Sequence, residues 1–232
     1  LEDEKFTMTA GIDYKNRSLF VNNTKISVFD SLEKCNTDLD VVIDFSDAPG
    51  TLYLLEIAKS KKIPLVIATS GLEKEHFKLI QDCIKTIPVF QAANMSVGIH
   101  LLKKAIKQLS ADAGEHFDIE IVEKYHRLKK DSPSGTAISL ASAIAESLPW
   151  TPEYNYGRYD KNKLRIKNEI GIHSVRGGSI IGEYDIIFAG QDEVLQFSHK
   201  AYSRSLFALG ALKAAAFIVK QKPGLYHMDD LF

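Results

Sequence analysis

The stretch Val41-Val42-Ile43-Asp44-Phe45 decides the fold, because it is a short apolar run of the kind that forms a strand buried on both faces. Two similar runs follow, Pro64-Leu65-Val66-Ile67-Ala68 and Ile87-Pro88-Val89-Phe90. Residues 51–60 and 73–85, which separate these runs, place apolar side chains at helical spacing. A regular alternation of strand and helix predicts a parallel sheet with right-handed crossovers.

The pattern changes after Asn94. Three β-like runs between residues 170 and 199 have no helix between them, which favours an antiparallel or mixed sheet. Residues 204–219 return to helical spacing, and this last helix could return to the first domain. We therefore predict an α/β protein of two domains: a Rossmann-like parallel-sheet domain of residues 1–96 and 204–232, and an α+β domain with a mixed sheet of residues 97–203.

The composition limits the class of protein. Of the 232 residues, 45% are hydrophobic and 25% are charged, as in soluble globular proteins rather than disordered ones. The net charge of -1 argues against a partner that is nucleic acid or an anionic membrane. No apolar run approaches the roughly 20 residues of a spanning helix, and no signal-peptide pattern opens the sequence. With only two cysteines and no zinc-site spacing, we expect a reduced, cytoplasmic protein without a metal.

A further expectation concerns the start of the sequence. Leu1 is not a translation start, and residues 1–5 resemble the end of a helix already under way. We therefore expect that the natural beginning of the chain is missing.

The densest polar signal lies between Glu123 and Thr136. Four cations, Lys124, Arg127, Lys129 and Lys130, precede a Pro-Ser-Gly-Thr helix start. A helix N-terminus beside clustered cations can bind an anion, and we favour a carboxylate or phosphate site over an ordinary solvated turn.

Short polar loops also end three predicted strands of the first domain, where ligands of open parallel sheets bind. They are Asp44-Phe45-Ser46, Ala68-Thr69-Ser70-Gly71 and Ala92-Ala93-Asn94-Met95-Ser96.

These motifs together resemble the 4-hydroxy-tetrahydrodipicolinate reductase (dihydrodipicolinate reductase) family, whose signature reads roughly E-x-H-H-x-x-K-x-D-x-P-S-G-T. Residues 123–136 carry the signature, and the similarity extends through the three loops to His173-Ser174-Val175-Arg176-Gly177-Gly178 and Gly224-Leu225-Tyr226. The resemblance implies NADH- or NADPH-dependent reduction of 4-hydroxy-tetrahydrodipicolinate, a small dicarboxylate, in the diaminopimelate route to lysine. It also implies a cofactor domain, a substrate and oligomerisation domain, and a homotetramer.

The resemblance also implies roles for individual residues. The catalytic group would be Lys129 with His126 and Tyr125, and the substrate would be held by His126 and the helix start at Ser134, Gly135 and Thr136. The cofactor would be bound by Asp13 and by the three loops, through Phe45, Ser46, Ala68, Thr69, Ser70, Ala92, Ala93, Asn94 and Met95.

The sequence departs from the family pattern in two places. Tyr125 replaces the first histidine of the His-His pair, and a phenol of pKa ~10 stays neutral. Lys129 and His126 must then carry more of the acid–base work, or Tyr125 must act as a neutral donor. The first strand and the glycine-rich phosphate loop of the family have no counterpart before residue 6, so we expect weak cofactor binding and a sheet without a central strand.

The sequence leaves alternatives open for both the cofactor and the function. Asp13 would accept from ribose hydroxyls and favours NADH, whereas Lys15 and Arg17 could pair with the 2′-phosphate of NADPH. The alternatives to the reductase are another two-domain nicotinamide oxidoreductase that acts on a small imine or carbonyl, and a non-catalytic protein that binds a dicarboxylate.

Overall fold

The computed structural model describes residues 5–14, 19–21, 24–159 and 162–232. It divides the chain into two compact units, which are Leu1–Met95 with Phe207–Phe232 (unit 1) and Ser96–Leu206 (unit 2). The helix end expected at residues 1–4 lies outside the described residues.

Unit 1 begins with a small sheet of three strands. Strand β1 (Ala10–Ile12) runs parallel to β3 (Thr24–Phe29), and β2 (Leu19–Val21) pairs with β3 in the antiparallel sense. The strands predicted from the sequence do not include β2. Strand β2 is apolar at all three positions, but two of its residues are exposed and none is buried, so it is not the buried strand that an apolar run indicates.

The larger sheet of unit 1 is parallel, as the apolar runs predict. It contains β4 (Val42–Asp44), β5 (Leu65–Ile67), β6 (Pro88–Gln91) and β12 (Gly224–Tyr226), in the order β12-β6-β5-β4. Helices α1 (Ala48–Lys61) and α2 (Lys74–Cys83) connect its first three strands. Strand β5 is completely buried, and the helices cover it. Strand β12 is an addition that the sequence did not predict, because it begins at the glycine of a Pro-Gly pair and none of its three residues is buried.

Unit 2 is built on a mixed sheet of five strands, in the order β11-β10-β7-β9-β8. Strands β7 (Asp118–Tyr125), β8 (Glu153–Asn155) and β9 (Glu169–Arg176) are mutually parallel along β8-β9-β7. Strands β10 (Glu183–Ala189) and β11 (Val194–Lys200) continue the sheet in the antiparallel sense. Helices α3 (Val97–Ala113) and α4 (Gly135–Ala145) pack on it, while α5 (Ser205–Ile218) lies mainly in unit 1. The predicted combination of a Rossmann-like parallel sheet and a mixed-sheet domain is confirmed.

The described part of the chain contains neither a membrane-spanning helix nor a cluster of metal-binding side chains. Every described helix is too short or too polar to cross a lipid bilayer. The described part of the chain also holds no group of three or more His, Cys, Asp or Glu side chains that could bind a metal ion.

Helix α5 touches the backbone that follows β6, and Gly210 makes this approach possible. A Cβ atom at Gly210 would overlap the carbonyl oxygen of Met95. We predict that Gly210→Ala destabilises the protein by about 2 kcal/mol, although alanine is intrinsically the better helix former. Urea denaturation monitored by circular dichroism measures this change. Leu209→Ala on the exposed side of α5 is the control and should cost less than about 1 kcal/mol. A gain of stability in Gly210→Ala would contradict the packing of α5 on Met95.

Candidate active site

Three parallel strands of unit 1 end at the same level. In the sheet register Asp44 of β4 lies beside Ile67 of β5, and Ile67 lies beside Gln91 of β6. The backbone continues this alignment into the loops, because the N–H of Ala68 donates to Asp44 and the N–H of Ala92 donates to Ile67. The three predicted cofactor loops therefore begin side by side at the carboxyl edge of the sheet, which is where open α/β sheets bind ligands.

Asp44 organises the first of these loops. Its carboxylate is completely buried and accepts hydrogen bonds from the Ser46 N–H (2.9 Å), the Ser46 hydroxyl (2.6 Å) and the Thr51 hydroxyl (2.5 Å). Ser46 is therefore fixed by Asp44. Phe45 points away from the core and has 54% of its surface exposed.

The second and third loops differ in exposure. Thr69 is buried, and its hydroxyl has no hydrogen-bond partner among the described residues, whereas Ser70 next to it is exposed. A buried hydroxyl without a partner is uncommon in proteins. Met95 is buried in the core, and Ala93 is exposed. An unpaired hydroxyl at this edge of the sheet suits a polar ligand such as a nicotinamide cofactor.

Asp13 lies elsewhere in unit 1. It follows β1 in the three-stranded sheet, and its N–H donates to the carbonyl of Phe29. In the described residues, no backbone pairing joins this sheet to β4. Lys15 and Arg17, the predicted partners of a 2′-phosphate, lie outside the described residues.

The predicted anion site of unit 2 lies where β7 leads into α4. Ser134 is the N-cap of α4, since its hydroxyl accepts a hydrogen bond from the N–H of Ala137 (3.1 Å). Gly135 is the first residue of the helix, and a Cβ atom placed there would have no neighbour within 4 Å. Because the first N–H groups of a helix have no partner within the helix, the open space at Gly135 lets a carboxylate approach them.

Glu123 holds this helix start in place from within the core. Its side chain is completely buried and accepts hydrogen bonds from the Ser134 N–H (3.0 Å), the Ser174 hydroxyl (2.7 Å) and Arg176 (2.7 Å). Burial alone would raise the pKa of Glu123, but these hydrogen bonds outweigh burial and keep the pKa below its usual value. Arg176 also donates to the carbonyl of Asp131 (2.8 Å), so the loop before α4 is held from two points.

Tyr125 ends β7 beside this network. Its hydroxyl is hydrogen-bonded to the hydroxyl of Tyr184, which lies 3.3 Å from the Ser134 hydroxyl. Burial, followed by the bond to Tyr184, raises the pKa of Tyr125, so the phenol is neutral at any working pH. The expectation that Tyr125 stays neutral fits this environment.

Lys129 and His126 both lie against the ring of Tyr125. The Lys129 ammonium is 4.6 Å from the ring centroid and 2.8 Å from both carboxylate oxygens of Asp131. The hydrogen bond from Lys129 lowers the pKa of Asp131. The His126 ring meets the Tyr125 ring edge to face at 6.5 Å, and the Lys129 N–H donates to the His126 carbonyl (3.1 Å).

The structure thus brings together the predicted residues of unit 2, which are Tyr125, His126, Lys129, Ser134, Gly135 and Thr136. Sequence reasoning gave no role to Glu123, Arg176, Asp131 or Tyr184. Tyr184 could have been noticed, because it occupies a buried position of the alternating strand β10 and a buried tyrosine hydroxyl needs a partner.

Two family models match the chain. The model described as dihydrodipicolinate reductase, N-terminus, matches residues 1–95, and the one described as dihydrodipicolinate reductase, C-terminus, matches residues 98–232.

Two similar proteins carry the name 4-hydroxy-tetrahydrodipicolinate reductase. A 4-hydroxy-tetrahydrodipicolinate reductase of Caldanaerobacter subterraneus subsp. tengcongensis is 50% identical over 230 residues, which are 99% of this chain and 89% of that protein. One of Clostridium tetani is 45% identical over 96% of this chain and 85% of that protein. Among solved structures, the dipicolinate-bound dihydrodipicolinate reductase of Paenisporosarcina sp. TG-14 has a TM-score of 0.77 at 24% identity, and the match covers 97% of this chain and 89% of that one.

The burial of the Glu123 carboxylate leads to a prediction about the stability of the protein. Its lowered pKa means that folding favours the charged form, so its contribution is present above pH ~4.5 and disappears as the pH falls through the lowered pKa of the folded state. We predict that Glu123→Gln reduces the free energy of unfolding by about 3 kcal/mol at pH 7, because Arg176 loses a buried charged partner. The difference from the wild type should shrink as the pH falls below 4.

Urea denaturation at pH 7 and at pH 3.5 measures both quantities. Glu146→Gln is the control, since Glu146 is an exposed carboxylate paired with Lys107 on the surface (3.2 Å) and should contribute less than about 1 kcal/mol. Equal losses in the two variants would contradict the role of Glu123.

Proposed function

This chain belongs to the dihydrodipicolinate reductase family, and from that premise we propose how its own residues perform the family's reaction. It is an NAD(P)H-dependent oxidoreductase that catalyses the 4-hydroxy-tetrahydrodipicolinate reductase step in lysine and diaminopimelate biosynthesis. Its substrate is a small molecule. We propose the site residues, the choice of cofactor and the assembly.

The single observation that carries the site assignment is the open start of α4 beside Lys129. One substrate carboxylate binds at the N–H groups of Gly135 and Thr136, next to the Ser134 cap. Such a position suits an anion because the helix dipole and the first N–H groups both favour negative charge. His126, in the loop before the helix, contacts the substrate from the other end of the same segment.

Lys129 supplies the proton in this proposal. Its ammonium is held by Asp131 and by the Tyr125 ring, so it is positioned before the substrate arrives. His126 helps to stabilise charge on the bound substrate. Tyr125 takes part as a neutral group, since its raised pKa excludes a role as an anion or as a strong acid.

The cofactor is a nicotinamide dinucleotide, and we propose that the carboxyl edge of the parallel sheet in unit 1 holds it. When bound, the nicotinamide supplies the hydride for the reduction. The residues that would contact the dinucleotide are Phe45, Ser46, Ala68, Thr69, Ser70, Ala92, Ala93, Asn94 and Met95, with Asp13 at the adenosine ribose. The unpaired hydroxyl of Thr69 supports this assignment. Asp13 favours NADH over NADPH, and use of both stays open.

We further propose a cytoplasmic homotetramer that has no nucleic-acid or membrane partner. Residues 1–96 with 204–232 would form the cofactor domain, and residues 97–203 the substrate and oligomerisation domain. Support comes from the family resemblance and from the alternating strand β7, which has one buried face and one partly exposed face. Sedimentation equilibrium tests the assembly, and a monomer at micromolar concentration would contradict it.

The role of Lys129 leads to a kinetic prediction. We expect Lys129→Ala to lower kcat by roughly 10²–10⁴-fold with little change in NADH affinity, because a proton donor acts on the chemical step. Steady-state kinetics and fluorescence titration with NADH measure the two effects. Lys130→Ala, at an exposed neighbour, is the control and should retain most of the wild-type kcat. Full activity in Lys129→Ala would show that Lys129 is not the proton donor.

Binding of pyridine-2,6-dicarboxylate without any turnover would favour the alternative of a non-catalytic protein. Calorimetry with this compound, in the presence and absence of NADH, distinguishes that alternative from the reductase.

The unpaired hydroxyl of Thr69 leads to a prediction about cofactor binding. We expect Thr69→Val to raise the Kd for NADH roughly five- to tenfold, the effect of one lost hydrogen bond, without lowering the melting temperature. Fluorescence titration and thermal melts measure these effects. Thr86→Val is a matched control at an exposed position of unit 1 and should leave the Kd unchanged. Wild-type affinity for NADH in Thr69→Val would show that Thr69 does not bind the cofactor.

A further inference from the structure

Three hydroxyl groups form a chain behind the reacting groups of unit 2. Tyr184, on β10, is almost completely buried and is hydrogen-bonded to the hydroxyl of Tyr125 at the end of β7. On its other side the Tyr184 hydroxyl lies 3.3 Å from the hydroxyl of Ser134. Because Ser134 is also the N-cap of α4, the chain connects Tyr125 to the start of the helix that is proposed to bind the substrate.

The hydrogen atoms of this chain can be counted. Three hydroxyls provide three hydrogens for two contacts, and the Ser134 oxygen already accepts from the N–H of Ala137. If the hydroxyls all donate in the same direction along the chain, one hydrogen is left over, either at Tyr125 or at Ser134. In both directions Tyr184 donates one hydrogen bond and accepts one, so its hydroxyl is fully used within the protein.

Two cationic side chains lie over the ring of Tyr125. The Lys129 ammonium lies 4.6 Å from the ring centroid and the Arg176 guanidinium carbon 5.6 Å from it. Both distances are within the range of a cation–π interaction, which requires the cation to face the ring. The rings of Tyr125 and Tyr184 meet edge to face with centroids 6.0 Å apart. The orientation of the Tyr125 ring therefore affects the position of the Lys129 ammonium.

We propose that Tyr184 is a positioning residue for the reduction: its hydroxyl fixes the Tyr125 ring, and that ring holds the ammonium of Lys129. Tyr184 itself does not contact the substrate. The proposal rests on the proposed role of Lys129 as proton donor. It also gives Tyr125 a role that differs from the acid–base role of a histidine at this position.

The test is a set of tyrosine-to-phenylalanine variants, which remove a hydroxyl and keep the ring. We expect Tyr184→Phe to lower kcat about tenfold, while the KM for the substrate stays within about twofold of the wild type. Tyr125→Phe breaks the same hydrogen bond from the other side and should have a similar effect. Because the two hydroxyls act as one chain, the double variant should be no worse than the poorer single variant. Tyr159→Phe, at a residue with 96% of its surface exposed, is the control.

Two results would overturn the proposal. The first is wild-type kcat in Tyr184→Phe. The second is a proportional loss of kcat and of affinity for pyridine-2,6-dicarboxylate, measured by calorimetry, because a general disturbance of the fold lowers both.

A second double-mutant cycle, made in the Lys129→Ala background, distinguishes a failure of this proposal from a failure of the proposed function. If Tyr184 acts through Lys129, Tyr184→Phe should lower the residual kcat of Lys129→Ala by less than twofold. A further tenfold loss in that background would contradict the positioning role while leaving Lys129 as proton donor. Full activity of Lys129→Ala itself would instead contradict the proposed function.

Discussion

The buried carboxylate of Glu123 is the constraint on which the geometry of unit 2 depends. A charge without access to water is costly, so it must be paired and hydrogen-bonded. Its partners come from strand β9, through Ser174 and Arg176, and from the N-cap Ser134. To satisfy Glu123 the chain must bring the end of β7, the end of β9 and the start of α4 together. The loop that carries His126 and Lys129 is confined between these points.

Unit 1 uses the same arrangement at a different place. Asp44 is a buried carboxylate at the end of β4, and it is satisfied by Ser46 in the following loop and by Thr51 in the first turn of α1. In both units a strand places a carboxylate at the point where a helix begins. The polar loops are therefore held by hydrogen bonds from inside the protein, and their remaining polar groups are available to ligands.

The sequence predicts the parts of the molecule that have regular periodicity. Buried runs such as Leu65–Ile67, with helical spacing between them, are sufficient to predict the parallel sheet, and consecutive runs without a helix predict the mixed sheet. Strands β2, β8 and β12 contain no buried residue and stand outside the predicted alternation of buried strand and helix.

The candidate site is predictable only where a motif is continuous in the chain, as it is from Glu123 to Thr136. Tyr184 and Arg176 join that segment through strand pairing, and register between distant strands is not encoded in local spacing. The same holds for the pairing of Lys129 with the Tyr125 ring, which depends on the path of the loop between β7 and α4.

Hydrogen exchange at single-residue resolution, with and without pyridine-2,6-dicarboxylate, tests most directly whether the anion site is formed before the ligand binds. In the free protein we expect slow exchange at the Ser134 amide, which donates to Glu123, and fast exchange at the amide of Gly135, where even a Cβ atom would have no neighbour within 4 Å. Added dicarboxylate should protect Gly135 and leave Ser134 nearly unchanged. Fast exchange at Ser134 in the free protein, or a Gly135 amide that does not respond to the dicarboxylate, would show that the anion site is not formed in advance at the start of α4.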